Sequence, residues 1–191
     1  MKKFINIFNK IPSHCKNIPE KYKSLHDNYR RLFPLVSLAK QHGYKNGLDF
    51  GCASCFVSII GRLEGLEIAG IDIPYIKEGK SSYISLQKYM ASIGYRIIIR
   101  DTTVLPWNEF KDNEFEFIIA SWSISKDFKR VGFNKKDRLS ELIRITNYNG
   151  SWIISPLNHY RKLTQVGWLD QKSFDEFNKE LADKKISIKT C

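Results

Sequence analysis

Residues 47–59, GLDFGCASCFVSI, hold the pattern that decides the fold. A short apolar segment, Leu48–Phe50, stops at Gly51, and after four small residues an apolar segment resumes at Phe56. This order predicts a buried strand that ends in a glycine turn and leads directly into a helix. Glycine lets the backbone of such a turn approach a ligand, and the free N–H groups at the start of the helix face the same place.

Strand-like and helix-like segments alternate along the rest of the chain. Strands are predicted at Leu48–Phe50, Ile68–Ile73, Tyr95–Arg100, Phe115–Trp122, Ser151–Ser155 and Ile186–Lys189, and helices at Ile18–Gln41, Phe56–Leu63, Ser82–Ile93, Lys135–Thr146 and Phe174–Leu181. Apolar runs such as YRIIIR and FEFIIA lack a two-residue alternation, which is typical of strands buried on both faces. The chain therefore has the pattern of a three-layer α/β fold, with a mostly parallel sheet and helices on both faces.

The positive charge of the chain is concentrated near its start. The formal net charge is +11, and residues 1–46 hold ten Lys and Arg against Glu20 and Asp27, which leaves +8 in that segment. We predict that residues 1–43 form a basic helical extension, in which Pro34 kinks or divides the helix, and that residues 44–191 form one domain. A basic segment favours an anionic partner such as nucleic acid, a phosphosugar or a membrane surface, although a solvated basic helix fits the same charge.

Composition and cysteine spacing argue against several classes of protein. The chain is 42% hydrophobic and 27% charged, which is ordinary for a globular protein. Its apolar runs are all shorter than the ~18 residues of a membrane-spanning helix, and its start lacks the pattern of a secretory signal. We therefore expect a cytoplasmic protein with no transmembrane segment. The four cysteines suggest neither a disulfide framework nor a zinc site, so we predict no bound metal.

Three acidic residues follow or end successive predicted strands. Asp49 lies in the first strand, Asp72 ends the second, and Asp101 follows the third. In an open α/β sheet, ligands bind at the carboxyl ends of the strands, near the point where the strand order reverses. A carboxylate at the end of the second strand can accept hydrogen bonds from both ribose hydroxyls of a nucleoside. The three acids therefore predict a nucleoside site along one edge of the sheet.

Taken in order, four segments of the chain resemble class I S-adenosylmethionine-dependent methyltransferases. The segments are GLDFGCASC, IAGIDIP, RDTTVLPWNEFKDNEFEFIIASWSI and RLSELIRITNYNGSWIISP, and they cover about residues 44–157. The resemblance implies a Rossmann-like sheet and S-adenosylmethionine as cofactor. It also implies transfer of a methyl group to a hydroxyl or amine of a small molecule or sugar.

The resemblance further implies residues that hold the methionine end and the ribose of the cofactor. Asp49 and the backbone from Gly51 to Ala53 would hold the methionine end, and Asp72 would bind the ribose. The family's second and third glycines fall on Ala53 and Cys55, and the added side chains raise the question of weakened cofactor binding.

By the same resemblance, other residues would bind the adenine and border the methyl acceptor. Ile73 would pack on the adenine, and Asp101 and Thr102 would read its edge. Ser121 and Trp122, at the end of the fourth strand, would border the methyl group and the acceptor.

The candidate general base is a histidine after the fifth strand. A hydroxyl or amine acceptor has to lose a proton, and His159 titrates in the right range. Asp127, in the loop after the fourth strand, is a second candidate. Besides Ala53 and Cys55, two further features depart from the family: its fourth-strand acid falls on Glu116, and only one predicted strand follows the last helix, where the family has two.

Other functions remain open at this point. An RNA or polyanion methyltransferase rests on the basic extension, and an inactive binding module rests on Ala53 and Cys55. The pair Cys52 and Cys55 at a helix start also has the spacing of a redox Cys-x-x-Cys protein. A nicotinamide enzyme fits less well, because its Gly-x-Gly-x-x-Gly pattern meets Phe56 at the last glycine.

Overall fold

The structure is a computed structural model that describes residues 1–16, 24–72, 76–77, 80–81, 83–102, 104–121, 123, 135–156 and 169–190. Its helices are α1 (Lys2–Lys10), α2 (Leu25–Gln41), α3 (Phe56–Leu63), α4 (Ile84–Ser92), α5 (Lys135–Ile145) and α6 (Gln171–Asp183). Its strands are β1 (Asn46–Phe50), β2 (Glu67–Asp72), β3 (Ile76–Lys77), β4 (Lys80–Ser81), β5 (Ile97–Ile99), β6 (Phe115–Ser121), β7 (Thr146–Ser155) and β8 (Ser187–Thr190).

Six strands form one sheet in the order β5-β2-β1-β6-β7-β8, and every pair in it is parallel. Leu48 at the centre pairs with Ala69 of β2 on one side and with Ile118 of β6 on the other. The chain thus moves outward from β1 to β2 and β5, then returns to the opposite side of β1 with β6. This reversal places the topological switch point at the carboxyl ends of β1 and β6, and the predicted Rossmann-like sheet is confirmed.

The sheet is buried on both faces, as its uninterrupted apolar strands predict. One face packs against α3 and the N-terminal helices through residues such as Phe56 and Ile59. The other face packs against α5 and α6, where Leu142, Trp152 and Phe177 are buried together. Parallel strands covered on both faces leave only their ends open, so a ligand site has to form at one end of the strands.

The N-terminal segment contains a helix that the sequence analysis missed. In α1 the rings of Phe4 and Phe8 each lie 5.4 Å from the ring of Phe56, at the start of α3. The prediction overlooked α1 because the segment is short, and short isolated helices need tertiary packing to form. The next helix, α2, continues through Pro34, so the expected division of the helix there is wrong. Its described part starts at Leu25, after Ser24 caps the helix by accepting from the N–H of Asp27.

Two further elements differ from the predicted ones. Strand β7 starts at Thr146 and includes the predicted Asn149–Gly150 turn, with a register irregularity where Phe115 pairs with Thr146 and Phe117 with Ser151. The indole N–H of Trp152 donates to Thr146 Oγ1 at 2.9 Å, which ties the two halves of β7 together. The short antiparallel hairpin β3–β4 was also not predicted. The single strand expected after the last helix is present as β8, beside β7.

Among the described helices, none combines the length and the apolar character that crossing a bilayer requires.

The packing of α1 on α3 predicts that Phe4→Ala destabilises the whole domain. Phe4 is completely buried, and removing its ring leaves a cavity against Phe56, so the free energy of unfolding should fall by about 3 kcal/mol. Urea unfolding monitored by circular dichroism measures the change. The matched control Lys3→Ala, on the exposed face of α1, should stay within about 0.5 kcal/mol of the native protein. Equal stabilities for the two variants would show that α1 does not dock.

Candidate functional site

The turn after β1 needs glycine at its first position. Gly51 has φ +77°, and a Cβ there would lie 2.4 Å from the Cβ of Ser123. The N–H groups of Gly51 and Cys52 both donate to the carbonyl of Ile71, at 2.8 and 3.1 Å. The turn therefore bends over the end of β2 and passes close to the chain that follows β6, at the switch point of the sheet.

The second and third glycines of the family pattern are replaced in this chain, but both positions keep a positive φ. Ala53 has φ +40° and Cys55 has φ +57°, in the left-handed region that costs side-chain-bearing residues roughly 1–2 kcal/mol each. Cys55 is the N-cap of α3, and its N–H donates to the Cys52 carbonyl at 2.7 Å. Both positions therefore hold a backbone conformation that glycine adopts more easily than a residue with a side chain.

The carboxylate at the end of β2 holds this loop in place. Asp72 Oδ2 accepts from the backbone N–H of Ala53 at 2.6 Å. The amide Nε2 of Gln87, on α4, donates to the Ala53 carbonyl at 3.0 Å and lies 3.4 Å from the same Asp72 oxygen. Gln87 is completely buried, and the sequence analysis did not single it out. Its only signal was a polar residue between the core positions Leu86 and Met90.

Asp49 lies deeper in the sheet than the other two acids. It pairs with Gly70, two residues before Asp72, and its side chain is only 3% exposed. Burial raises the pKa of the Asp49 carboxyl well above its ordinary value, and repulsion by Asp72 raises it further. A cationic group beside Asp49 would favour the ionised carboxylate, so this position is suited to a positively charged part of a ligand.

A small cavity lies between the loop and the N-terminal extension. Its volume is about 50 Å³, and among the described residues it is lined by Arg31, Leu32, Asp49, Gly51, Cys52, Ala53, Ser54, Phe56, Val57 and Ser121. Among the described residues, no hydrogen-bond partner is found for the buried hydroxyl of Ser121, at the end of β6, or for the Ser123 hydroxyl beside Gly51. Buried hydroxyls are rarely left without a partner, so both are suited to bonding a bound group.

A buried arginine of α5 forms a hydrogen bond with the segment after β5. Thr102 is 2% exposed, and its Oγ1 accepts from Nη2 of Arg138 at 2.7 Å. The carbonyl of Thr102 accepts from the indole N–H of Trp107 at 3.3 Å. Arg138 is itself buried, with its guanidinium 5.5 Å from the ring of Phe50 at the end of β1. Asp101, by contrast, is exposed, and it lies two residues after Ile99, the β5 residue that pairs with Asp72.

Part of the predicted site lies outside the described residues. This applies to Ile73 and Trp122 of the predicted cofactor site, and to both candidate bases, Asp127 and His159. The structure brings together Asp49, Gly51, Ala53, Asp72 and Ser121 around the loop. The roles assigned to all of these residues, and to Asp101 and Thr102, stay predictions.

The two loop cysteines have the environment of packed thiols. Both are buried free thiols, and a Cβ on Gly70 would lie 2.9 Å from Cys52 Sγ, so Cys52 packs directly on the backbone of β2. The pKa of Cys52 is raised well above its usual value, first by a hydrogen bond with Cys55, then by burial and the nearby Cys55, Asp72 and Asp49. Redox cysteines instead have lowered pKa values and some exposure, so these observations argue against a redox role.

A larger groove, of about 500 Å³, lies at the opposite end of the strands, where β1, β2 and β5 begin. Two arginines line it, and both are engaged by the protein: Arg62 stacks on Tyr95 at 3.6 Å, and Arg96 forms an ion pair with Glu114. Glu116, the predicted counterpart of the family's fourth-strand acid, also lies toward the amino ends of the strands. It accepts from the N–H groups of residues 45 and 46 at 2.5 and 2.9 Å, and so supports the start of β1.

The fold is shared with solved structures at low sequence identity. The PH0226 protein of Pyrococcus horikoshii OT3 is 21% identical with a TM-score of 0.51, over 87% of this chain and 72% of that one. A Staphylococcus aureus protein provisionally assigned as a caffeoyl-CoA O-methyltransferase is 14% identical with a TM-score of 0.50, over 96% and 86%. The MccD protein is 24% identical with a TM-score of 0.44, over 63% of this chain and about half of its own length (51%).

No protein-family model and no curated protein matches the chain. The structural matches confirm the resemblance at the level of fold: the chain has the Rossmann-like fold of class I S-adenosylmethionine-dependent methyltransferases.

The left-handed backbone at Ala53 predicts that Ala53→Gly is tolerated. Relief of the unfavourable φ offsets the greater flexibility of glycine in the unfolded chain, so the free energy of unfolding should stay the same or rise by up to about 1 kcal/mol. The matched control is Ala91→Gly in the last turn of α4, where φ is helical and the change should cost up to about 1 kcal/mol. Urea unfolding compares the two. If Ala53→Gly destabilises as much as the control, the φ assigned to the loop is incorrect.

Proposed function

We propose that the protein is a methyltransferase that uses S-adenosylmethionine to methylate a hydroxyl or amine of a small molecule or sugar. The observation that carries this proposal is the 2.6 Å hydrogen bond from the Ala53 N–H to Asp72. It joins the loop after β1 to the acid at the end of β2, at the switch point where α/β sheets bind nucleotides and nucleosides.

The residues present fit the cofactor. The methionine end carries an ammonium group, and the cofactor also carries a sulfonium, so the buried Asp49 carboxyl offers a suitable opposite charge. Asp72 lies at the strand end where a carboxylate accepts from ribose hydroxyls. Ser121 lines the same small cavity as Asp49, and its buried hydroxyl has no partner within the described part of the chain. The cavity is smaller than the ~300 Å³ or more that drug-sized ligands occupy. We therefore assign it to the methionine end and place the adenosine along the strand ends toward Asp101.

In this proposal the cofactor supplies an activated methyl group on a sulfonium, which leaves as a neutral thioether. The protein's own contribution is alignment: the loop and Asp49 fix one end, Asp72 fixes the ribose, and Ser121 borders the reacting centre. Alignment of this kind can supply several kcal/mol of the barrier. His159, or else Asp127, would take the proton that the acceptor hydroxyl or amine loses. We expect His159→Ala to lower kcat, and to change kcat by a larger factor than it changes KM for the cofactor.

A polyanion such as RNA is the second candidate acceptor. The observation that favours it is the outer face of α1, where Lys2, Lys3 and Lys10 are exposed while Phe4 and Phe8 are buried. Labelled methyl transfer to total RNA or to a metabolite extract distinguishes the two acceptors. Binding of the cofactor product without transfer to either pool would indicate a binding module that has lost turnover.

Binding of S-adenosylhomocysteine tests the cofactor site directly. Calorimetry should detect binding to the native protein and a loss of about tenfold or more in Asp72→Asn, because a neutral amide replaces the charged acceptor of the ribose hydroxyls. Asparagine still offers an oxygen to the Ala53 N–H, so the loop should keep its position. The matched control is Glu67→Gln, at the exposed start of the same strand, which should bind like the native protein. If the native protein does not bind S-adenosylhomocysteine, the proposal is wrong.

The raised pKa of Asp49 predicts opposite effects on stability and on binding. A carboxyl group whose pKa is higher in the folded protein loses its stabilising contribution as the pH rises from its ordinary 3.8 through the raised value. At pH 8, Asp49→Asn should therefore raise the free energy of unfolding of the empty protein by about 1 kcal/mol or more.

Binding of S-adenosylhomocysteine should change in the other direction. Its ammonium group favours the ionised carboxylate, so the affinity of the native protein should fall as the pH drops through the raised pKa of Asp49. The affinity of Asp49→Asn should be lower at pH 8 and nearly independent of pH in that range. Calorimetry at several pH values measures both; a pH profile shared by the two proteins would assign the dependence to another group.

A further inference from the structure

A buried glutamine of α4 contacts both partners of the hydrogen bond that holds the loop. Gln87 is completely buried. Its Nε2 donates to the Ala53 carbonyl at 3.0 Å and lies 3.4 Å from Oδ2 of Asp72, the oxygen that accepts from the Ala53 N–H. Only the NH2 end of an amide can donate, and both atoms that it faces are acceptors, so the Gln87 amide has one possible orientation.

The helix holds this side chain on a packed element of the fold. Leu86 and Met90, on the same buried side of α4, belong to the core beside Phe56. The backbone N–H of Gln87 donates to the Tyr83 carbonyl at 2.9 Å, in the first turn of the helix. Groups that are carried by packed helices keep their positions more precisely than groups on loops. The Gln87 amide is therefore a fixed donor beside Asp72.

The two ends of the Gln87 amide differ in how well they are bonded. Its Oε1 is buried, and no partner for it is found in the part of the chain that the structure describes. A buried oxygen without a partner lowers stability, so an apolar side chain would suit this position better if filling the core were its only role. What glutamine adds here is its donating end, which faces the loop and Asp72.

We propose that Gln87 is a positioning residue for ribose recognition and acts through Asp72. This inference rests on the proposed function, in which Asp72 accepts from the ribose hydroxyls of the cofactor. Because Oδ2 of Asp72 accepts from the Ala53 N–H and lies beside the Gln87 amide, the plane of the carboxylate is fixed before a ligand arrives. A preorganised acceptor loses less freedom on binding, so the fixed plane favours ligands that carry both ribose hydroxyls.

A pair of ligands separates ribose recognition from the rest of the site. S-adenosylhomocysteine carries the 2′- and 3′-hydroxyls, and its 2′,3′-dideoxy analogue lacks both but keeps the adenine, the sulfur and the amino-acid group. Calorimetry measures both ligands on the native full chain and on Gln87→Met, which has a similar volume and no donor. Gln87→Met should weaken S-adenosylhomocysteine about tenfold. It should change the affinity for the analogue by no more than about twofold, because the bond from Ala53 to Asp72 still holds the loop.

A double-mutant cycle tests whether Gln87 acts through Asp72. In the Asp72→Asn background, Gln87→Met should change the affinity for S-adenosylhomocysteine by no more than about twofold, because the charged acceptor that Gln87 orients is already absent. A side chain that only fills the core would instead weaken binding by the same factor in both backgrounds.

The matched control is Gln41→Met, the same exchange at an exposed glutamine that ends α2, and both affinities should stay native in it. Gln87→Leu repeats the test with a second apolar side chain, so the result does not depend on the folding of one variant. Urea unfolding of each variant confirms that the fold is intact. If neither Gln87 variant folds, the residue is required for the core itself and the proposal is overturned.

The binding outcomes separate the two proposals. If the native protein binds S-adenosylhomocysteine and Gln87→Met binds it equally well, the role of Gln87 is overturned and the proposed function stands. Equal losses for the two ligands, or equal factors in the two backgrounds, also overturn it, because they indicate a general effect on the loop. If the native protein does not bind S-adenosylhomocysteine, the proposed function fails and this inference fails with it.

Discussion

The hydrogen bond between Asp72 and the Ala53 N–H joins two parts of the chain that the sheet only brings near each other. The loop after β1 has three residues at positive φ, two of them with side chains, and such a backbone persists only where surrounding contacts impose it. Asp72 and Gln87 supply those contacts from β2 and α4. The buried position of Asp49, the packing of Cys52 and the shape of the small cavity all follow from where this loop is held.

The sheet could be predicted from the sequence because its signals are local. Uninterrupted apolar strands between amphipathic helices define a parallel α/β sheet, and Gly51 marks the turn at its switch point. Helix α1 and the hairpin β3–β4 could not be predicted in this way. Helix α1 is stabilised by rings that contact Phe56, more than forty residues away in the chain, and such contacts leave no periodic signal before the fold is known.

The candidate site divides along the same line. Asp49 and Asp72 follow from strand ends, which the sequence marks, and the structure places both at the loop. Arg31, Gln87 and Arg138 reach the site from helices whose register against the sheet is set by tertiary packing. Arginines on a basic, exposed-looking helix or polar residues within a core helix give no local sign of the group that they will face. A sequence therefore indicates the acids of such a site more readily than the side chains that surround them.

The aromatic contact between α1 and α3 has a practical side. Phe56 follows Cys55 directly, so the ring that receives Phe4 and Phe8 belongs to the residue next to the loop. Deleting the first ten residues to obtain a shorter fragment for crystallisation would expose the ring of Phe56, which also lines the small cavity. Anyone shortening this polypeptide should therefore keep its opening helix, because that helix covers the residue directly beside the loop.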